Sequence, residues 1–98
     1  MDIQITTRHA KASAELQQGI TDELNALEKF NDKITSCHVI LDSENDDKTV
    51  EIVMHVQAHQ LSAKAKADKL GKAITEAIDK IGSQLKKIKE KVKEHHAK

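Results

Sequence analysis

Proline, tryptophan and tyrosine are absent from this 98-residue chain, and Phe30 is its one aromatic residue. Proteins that read single-stranded bases stack them on aromatic rings, so any nucleic acid met by this chain would be recognised through backbone and shape. Arginine is nearly missing as well. Arg8 is the single guanidinium, and lysines are point charges, so two-pronged readout of guanine is not expected. The lone cysteine, Cys37, excludes an internal disulfide. No apolar run approaches the roughly 20 residues needed to cross a bilayer, which excludes a spanning segment. No basic-then-apolar leader opens the sequence, so a cytoplasmic location is expected.

Catalytic signatures are missing too. The sequence contains no glycine-rich phosphate loop, nucleophile elbow or paired-carboxylate constellation. Six histidines invite a metal hypothesis, with His38 facing His55 across a hairpin, but none stands at zinc-site spacing. Cys37 alternates in phase with Val39 and Leu41 and reads as a small core residue. The expectation is a binder rather than an enzyme, with no metal, cofactor or small-molecule substrate.

What is present is charge, unevenly placed. Sixteen Lys plus Arg balance sixteen Asp plus Glu. Residues 1–47 carry four cations against ten acids, net −6, and residues 48–98 carry twelve lysines against six acids, net +6. A chain this short encloses one modest core, so one domain over residues 1–94 with a frayed tail at 95–98 is expected.

Periodicity supplies the elements. Residues 2–7 alternate polar and apolar as a half-buried strand. Leu16, Ile20, Leu24, Leu27 and Phe30 recur at helical spacing behind Ser13, a good N-cap, predicting a helix to about Asn31. Residues 34–43 read as a strand, Glu44–Asp47 as a turn, and 49–57 as a strand with Val50, Ile52, Met54 and Val56 on one face. A hairpin closed through Asp46 and Asp47 sets Val39 and Leu41 opposite Met54 and Ile52, and a slip of two residues keeps the same faces. Residues 60–66 alternate again. From Asp68 onward, Leu70, Ile74, Ala77, Ile78, Ile81, Leu85, Ile88 and Val92 follow the helical repeat. The order β-α-β-β-β-α predicts a two-layer α+β domain whose four-stranded sheet carries both helices on one face. Gly71 and Gly82, each costing about 1 kcal/mol in a helix, are expected to permit close packing against the first helix near Gly19.

The strongest functional signal lies in the last helix. At 100 degrees per residue with Leu70 at zero, Lys69, Lys80, Lys87 and Lys91 fall between about 260 and 300 degrees, one ridge beside the apolar stripe, while Lys86, Lys89 and Lys93 line the other flank. Lys64 and Lys66 on the preceding strand join the candidates by charge placement. Two readings fit these lysines: a solvated helix end whose cations suit the helix dipole, or a surface for a phosphate backbone that would deliver affinity without sequence readout. Two other readings are a protein–protein adaptor, docking through Asp42, Glu44, Asp46, Asp47, Ile40 and Val53, and a general double-stranded-RNA-binding module.

Three stretches carry a family resemblance: Ile5-Thr-Thr-Arg-His9, Leu27-Glu-Lys-Phe30, and above all residues 73–91, with Asp79-Lys80, Gln84-Leu85, Lys87 and Lys89 at their distinctive spacing. The chain resembles the short ribosome hibernation promoting factors, relatives of ribosome-associated inhibitor A, over almost its whole length. The resemblance implies a β-α-β-β-β-α fold similar to double-stranded-RNA-binding domains. It also implies binding to the small ribosomal subunit and its ribosomal RNA, in the channel of messenger RNA and the A- and P-site transfer RNAs, with translation blocked by occupancy under stress or in stationary phase. The RNA contacts it implies are Lys80, Gln84, Lys86, Lys87, Lys89 and Lys91, with Arg8 a further candidate, and a second hibernation factor is a conceivable co-partner. Gly71 stands where the family commonly has an aromatic, and Ser83 where a basic residue is frequent. The chain ends directly after this helix, without the extra domain of the long members, so pairing of ribosomes by this chain alone is not expected.

Overall fold

The structure, a computed structural model, describes the backbone of residues 1–31 and 33–96 and side chains through Ile88, Asp32 excepted. Its elements are β1 (Asp2–Arg8), α1 (Ala14–Leu27), β2 (Ile34–Glu44), β3 (Asp47–Val56), β4 (His59–Ala67) and α2 (Leu70–His96). Ala97 and Lys98 of the expected 95–98 tail lie outside the described residues. The strands form one sheet in the order β1-β2-β3-β4, with β1 parallel to β2 and the other pairs antiparallel. Both helices pack on the same face, giving the two-layer α+β domain anticipated above.

Local chemistry explains the helix starts and stops. Ser13 caps α1, its Oγ accepting from the Leu16 amide at 3.1 Å, and Glu15 sits in the first turn where the helix dipole favours an anion. The helix ends earlier than the apolar spacing suggests. Beyond Leu27 the chain tightens into three-residue turns, with the Phe30 amide bonded to the Leu27 carbonyl at 3.0 Å. That tighter winding carries Phe30 off the stripe, and it is 52% exposed rather than in the core.

The core lies between the helices and one sheet face. Ile20 and Leu24 of α1, Val39, Leu41, Val50, Ile52 and Met54 of the central strands, and Ile81 and Leu85 of α2 are buried. Each such side chain contributes roughly 1.5–3 kcal/mol through removal from water. The hairpin joining β2 and β3 closes at Asn45 and Asp46, so Val39 pairs with Ile52 and Leu41 with Val50. This is the two-residue slip from the Asp46–Asp47 closure. Asn45 adopts φ 57°, a left-handed conformation that asparagine tolerates. The faces are unchanged because strand side chains alternate with a period of two.

Two contacts differ from expectation. His38 pairs with Val53 and His55 with Ser36, so the two imidazoles are diagonal neighbours and not opposite one another. Among the glycines, only Gly82 lies close to the facing helix: a Cβ there would meet Leu27 Cδ2 at 3.6 Å. A Cβ at Gly19 or Gly71 would meet nothing within 4 Å, so close packing does not account for those two.

Candidate nucleic-acid interface

After the Asp68–Lys69 bend the chain reverses, and α2 runs back antiparallel to β4 on the core face. Four helical residues rise about 6.0 Å and two strand residues about 6.6 Å, so the two elements keep step. The side-chain bonds show that step. Lys80 Nζ donates to the Lys64 carbonyl oxygen at 2.8 Å, and Gln84 Nε2 donates to the Ser62 carbonyl oxygen at 2.6 Å. β4 is an edge strand, so these carbonyls face away from β3 and would otherwise depend on water. The basic ridge of α2 therefore lies along the open edge of β4. Both residues keep capacity for a ligand: the ammonium has two further protons, and the amide retains its oxygen.

β4 brings two more cations to this edge. Ala63 and Ala65 are buried against the helices, which turns Ser62, Lys64 and Lys66 to the opposite sheet face. Lys64 pairs across the ladder with Glu51 and Lys66 with Thr49. Lys66 Nζ also lies 3.3 Å from Asp47 Oδ2, with both side chains largely exposed. A pair of that kind contributes roughly 0–1 kcal/mol and gives way readily to a phosphate. Lys86 and Lys87 are exposed on α2. Lys89 and Lys91 continue the same helix, with side chains outside the described residues.

Arg8 stands apart. The ladder registers place Arg8, Asp42, Thr49 and Lys66 in one row across the sheet, so three strand spacings, about 14 Å, separate Arg8 from Lys66. Asp42 occupies the first step. Its Oδ1 accepts from the Ser43 amide at 2.7 Å and lies 3.3 Å from His9 Nδ1. The Ser43 amide, then the bond and charge of His9 and the charge of Arg8, hold its carboxyl below the ordinary carboxylate range, with partial burial opposing them. The structure thus gathers Lys64, Lys66, Lys80 and Gln84 along one edge, with Lys87 exposed one turn beyond Gln84 on α2, and leaves Arg8 at the other edge, beside an acid.

The remaining reactive groups have structural partners or surroundings. Cys37 is buried, and burial pushes its thiol up to about 11, so it stays neutral near pH 7. His38 Nε2 lies 2.8 Å from Thr6 Oγ1 on the open sheet face. Among the described residues no helix is long and apolar enough to cross a membrane.

The sequence alone did not disclose that Lys80 and Gln84 shield a strand edge. Their helical angle marks them as flanking the stripe, but only the strand order reveals which strand is exposed beneath that flank. The Lys66–Asp47 pair was likewise hidden, because it depends on the β2–β3 turn closing at Asn45 and Asp46.

Known proteins share both sequence and architecture with this chain. The family described as "Sigma 54 modulation protein / S30EA ribosomal protein" matches residues 3–93. A ribosome hibernation promoting factor of Escherichia coli is 30% identical over 95 residues, covering 97% of this chain and 100% of that protein. One from Pseudomonas putida is 31% identical over 91 residues, covering 93% and 89%. Among solved structures, a ribosomal subunit interface protein from Coxiella burnetii superposes with a TM-score of 0.85 at 25% identity, covering 91% of this chain and 98% of the other. The N-terminal domain of Protein Y from Thermus thermophilus shares the fold, with a TM-score of 0.82 at 19% identity, covering 90% and 99%.

Proposed function

The chain belongs to the Sigma 54 modulation protein / S30EA ribosomal protein family, and from that premise we propose that it is a ribosome hibernation factor acting on the small subunit. It inhibits translation by occupancy, without making or breaking a bond. The lysine ridge of α2, with Lys64 and Lys66 beside it, meets the phosphates of small-subunit ribosomal RNA. The folded domain then fills the space between head and body through which messenger RNA and the A- and P-site transfer RNAs pass.

The observation that carries this reading is the alignment of Lys80 and Gln84 over the β4 edge, next to Lys64. It makes one cationic border out of two elements. Lys64, Lys66, Lys80, Lys87 and Lys91 along this border, joined by Lys86 and Lys89 on the other flank of α2, supply enough charges for roughly six phosphate contacts. Counterion release at that number of contacts weakens binding about a thousandfold between about 50 and about 200 mM salt. Lysine ammonium groups do not discriminate bases, so selectivity comes from the shape of the ribosomal groove.

Sedimentation of ribosomal subunits with the protein through sucrose gradients, across a salt series, tests the proposal. The chain should travel with the small subunit at low salt and leave it steeply as salt rises. Equal affinity for any A-form duplex would instead identify a general double-stranded-RNA binder. Failure to travel with subunits at low salt would overturn the proposal.

A further inference from the structure

The two edges of the sheet are finished differently. The β4 carbonyls of Ser62 and Lys64 are covered by Gln84 and Lys80, and Lys64 and Lys66 stand along that strand. Charged side chains of this kind protect an edge from pairing with another strand. β1 has no such cover. Among the described residues, its hydrogen bonds are those of the ladder with β2 and the Thr6–His38 contact. The outward N–H and C=O groups along seven residues, Asp2–Arg8, are left for another chain or for water.

The sequence of β1 is complementary to itself. Its charged residues are Asp2 at one end and Arg8 at the other. Antiparallel pairing of two copies about a two-fold axis at Ile5 sets Asp2 opposite the other copy's Arg8, Gln4 opposite Thr6, Ile3 opposite Thr7, and Ile5 opposite Ile5. Positions two apart share a face, so both Asp–Arg pairs lie on the open sheet face and the Ile5 pair on the helix side. On that helix side there is room. Ile3 and Ile5 are separated from Ala14, Gln17, Gln18 and Thr21 of α1 by a groove of about 470 Å³. The second copy's Ile3 and Ile5 would enter the space between the two α1 helices.

We infer that β1 is a self-association edge, through which two copies of this chain join their sheets into one continuous eight-stranded sheet with two-fold symmetry. The contact is isologous, so it closes at two copies and builds no fibre. The shielded β4 edges end the sheet on both sides. Seven residues a side is far below the roughly 20 of a stable complex, so the dimer is weak and forms at high protein concentration.

Sedimentation equilibrium of the full chain from about 10 µM to about 1 mM, in low salt, tests this, because small interfaces dissociate in that range. The unaltered chain should pass from monomer to dimer. Asp2→Arg alone and Arg8→Asp alone each place like charges at both ends of the contact and should weaken the dimer roughly tenfold. An equimolar mixture of the two variants should recover association, because each then meets its opposite. Circular dichroism of each variant confirms the fold. A monomer at every concentration would leave the edge to some other chain's strand and overturn the inference. So would a dimer indifferent to both substitutions, or a mixture no more associated than its components.

Discussion

Lys80 lies across the exposed edge of β4, its Nζ 2.8 Å from the Lys64 carbonyl oxygen. The lysine that the helical wheel marks as part of a ligand surface is therefore also a bond between the closing helix and the sheet. Gln84 repeats the contact one turn later at Ser62. The same two side chains fix the ridge in place and close an edge that would otherwise recruit other strands.

Reversing charge on both exposed flanks of α2 should separate binding from folding. Lys86→Glu combined with Lys87→Glu touches no core residue, so stability should stay within about 0.5 kcal/mol per site. Cosedimentation with the small subunit should be lost at moderate salt, and the salt slope should fall by about 1 for each phosphate contact removed. Thermal melting and gradient sedimentation of one preparation check both halves.

Truncating the edge contacts should affect solution behaviour first. Lys80→Ala and Gln84→Ala each remove a side chain–backbone bond contributing about 0.5–1.5 kcal/mol, the lower end applying at an exposed site. The freed Ser62 and Lys64 carbonyls return to water. The double variant should exchange its β4 amide protons faster and aggregate at lower concentration, read by hydrogen exchange and light scattering.

Core truncation sets the scale for comparison. Leu24→Ala on α1 or Ile81→Ala on α2 empties a fully buried position and should cost about 2–5 kcal/mol. Urea denaturation should show the midpoint falling for both, with Ser13→Ala, which removes only the α1 cap, losing about 1 kcal/mol.

Cys37 gives a pH signature. Its thiol is raised from 9.0 to about 11 in the folded chain. The unfolded chain therefore ionises first as pH rises, and the associated stability is fully present below about pH 9 and lost on the way to 11. A thiol-alkylating reagent should react slowly with the native protein at pH 8 and rapidly once urea unfolds it. Cys37→Ser should remove the thiol-dependent part of the alkaline loss, visible as a shallower stability profile above pH 9.

Much of this fold was legible wherever burial writes a period into the chain. β3 shows it in Val50, Ile52, Met54 and Val56, and α2 in the repeat from Leu70 to Leu85, because each has one wet and one dry face. Placement of β1 beside β2, parallel and at an edge, was not legible, since nothing local to Asp2–Arg8 names its partner. Phe30 was misplaced because apolar spacing continues past the point where the backbone tightens. The hairpin closure was off by one position because the left-handed turn residue is Asn45, which no strand periodicity marks. In the candidate interface, the lysine ridge was legible from helical angle, whereas the separation of Arg8 from it depends on strand order and the edge contacts of Lys80 and Gln84 on long-range packing.

Because the stretch of α2 that carries Lys80, Lys86 and Lys87 is continuous with the stretch that buries Ile74, Ile78 and Ile81, the grip is cast in one piece with its own foundation. An anion docking there finds amines whose attachment points are already spaced, and it spends nothing on ordering the backbone beneath them. By the same token, departure gains nothing from local melting. Under the proposed function, release would then be a matter of rivals for the groove and of ions in the medium, a setting that the cell can change quickly without unfolding the protein.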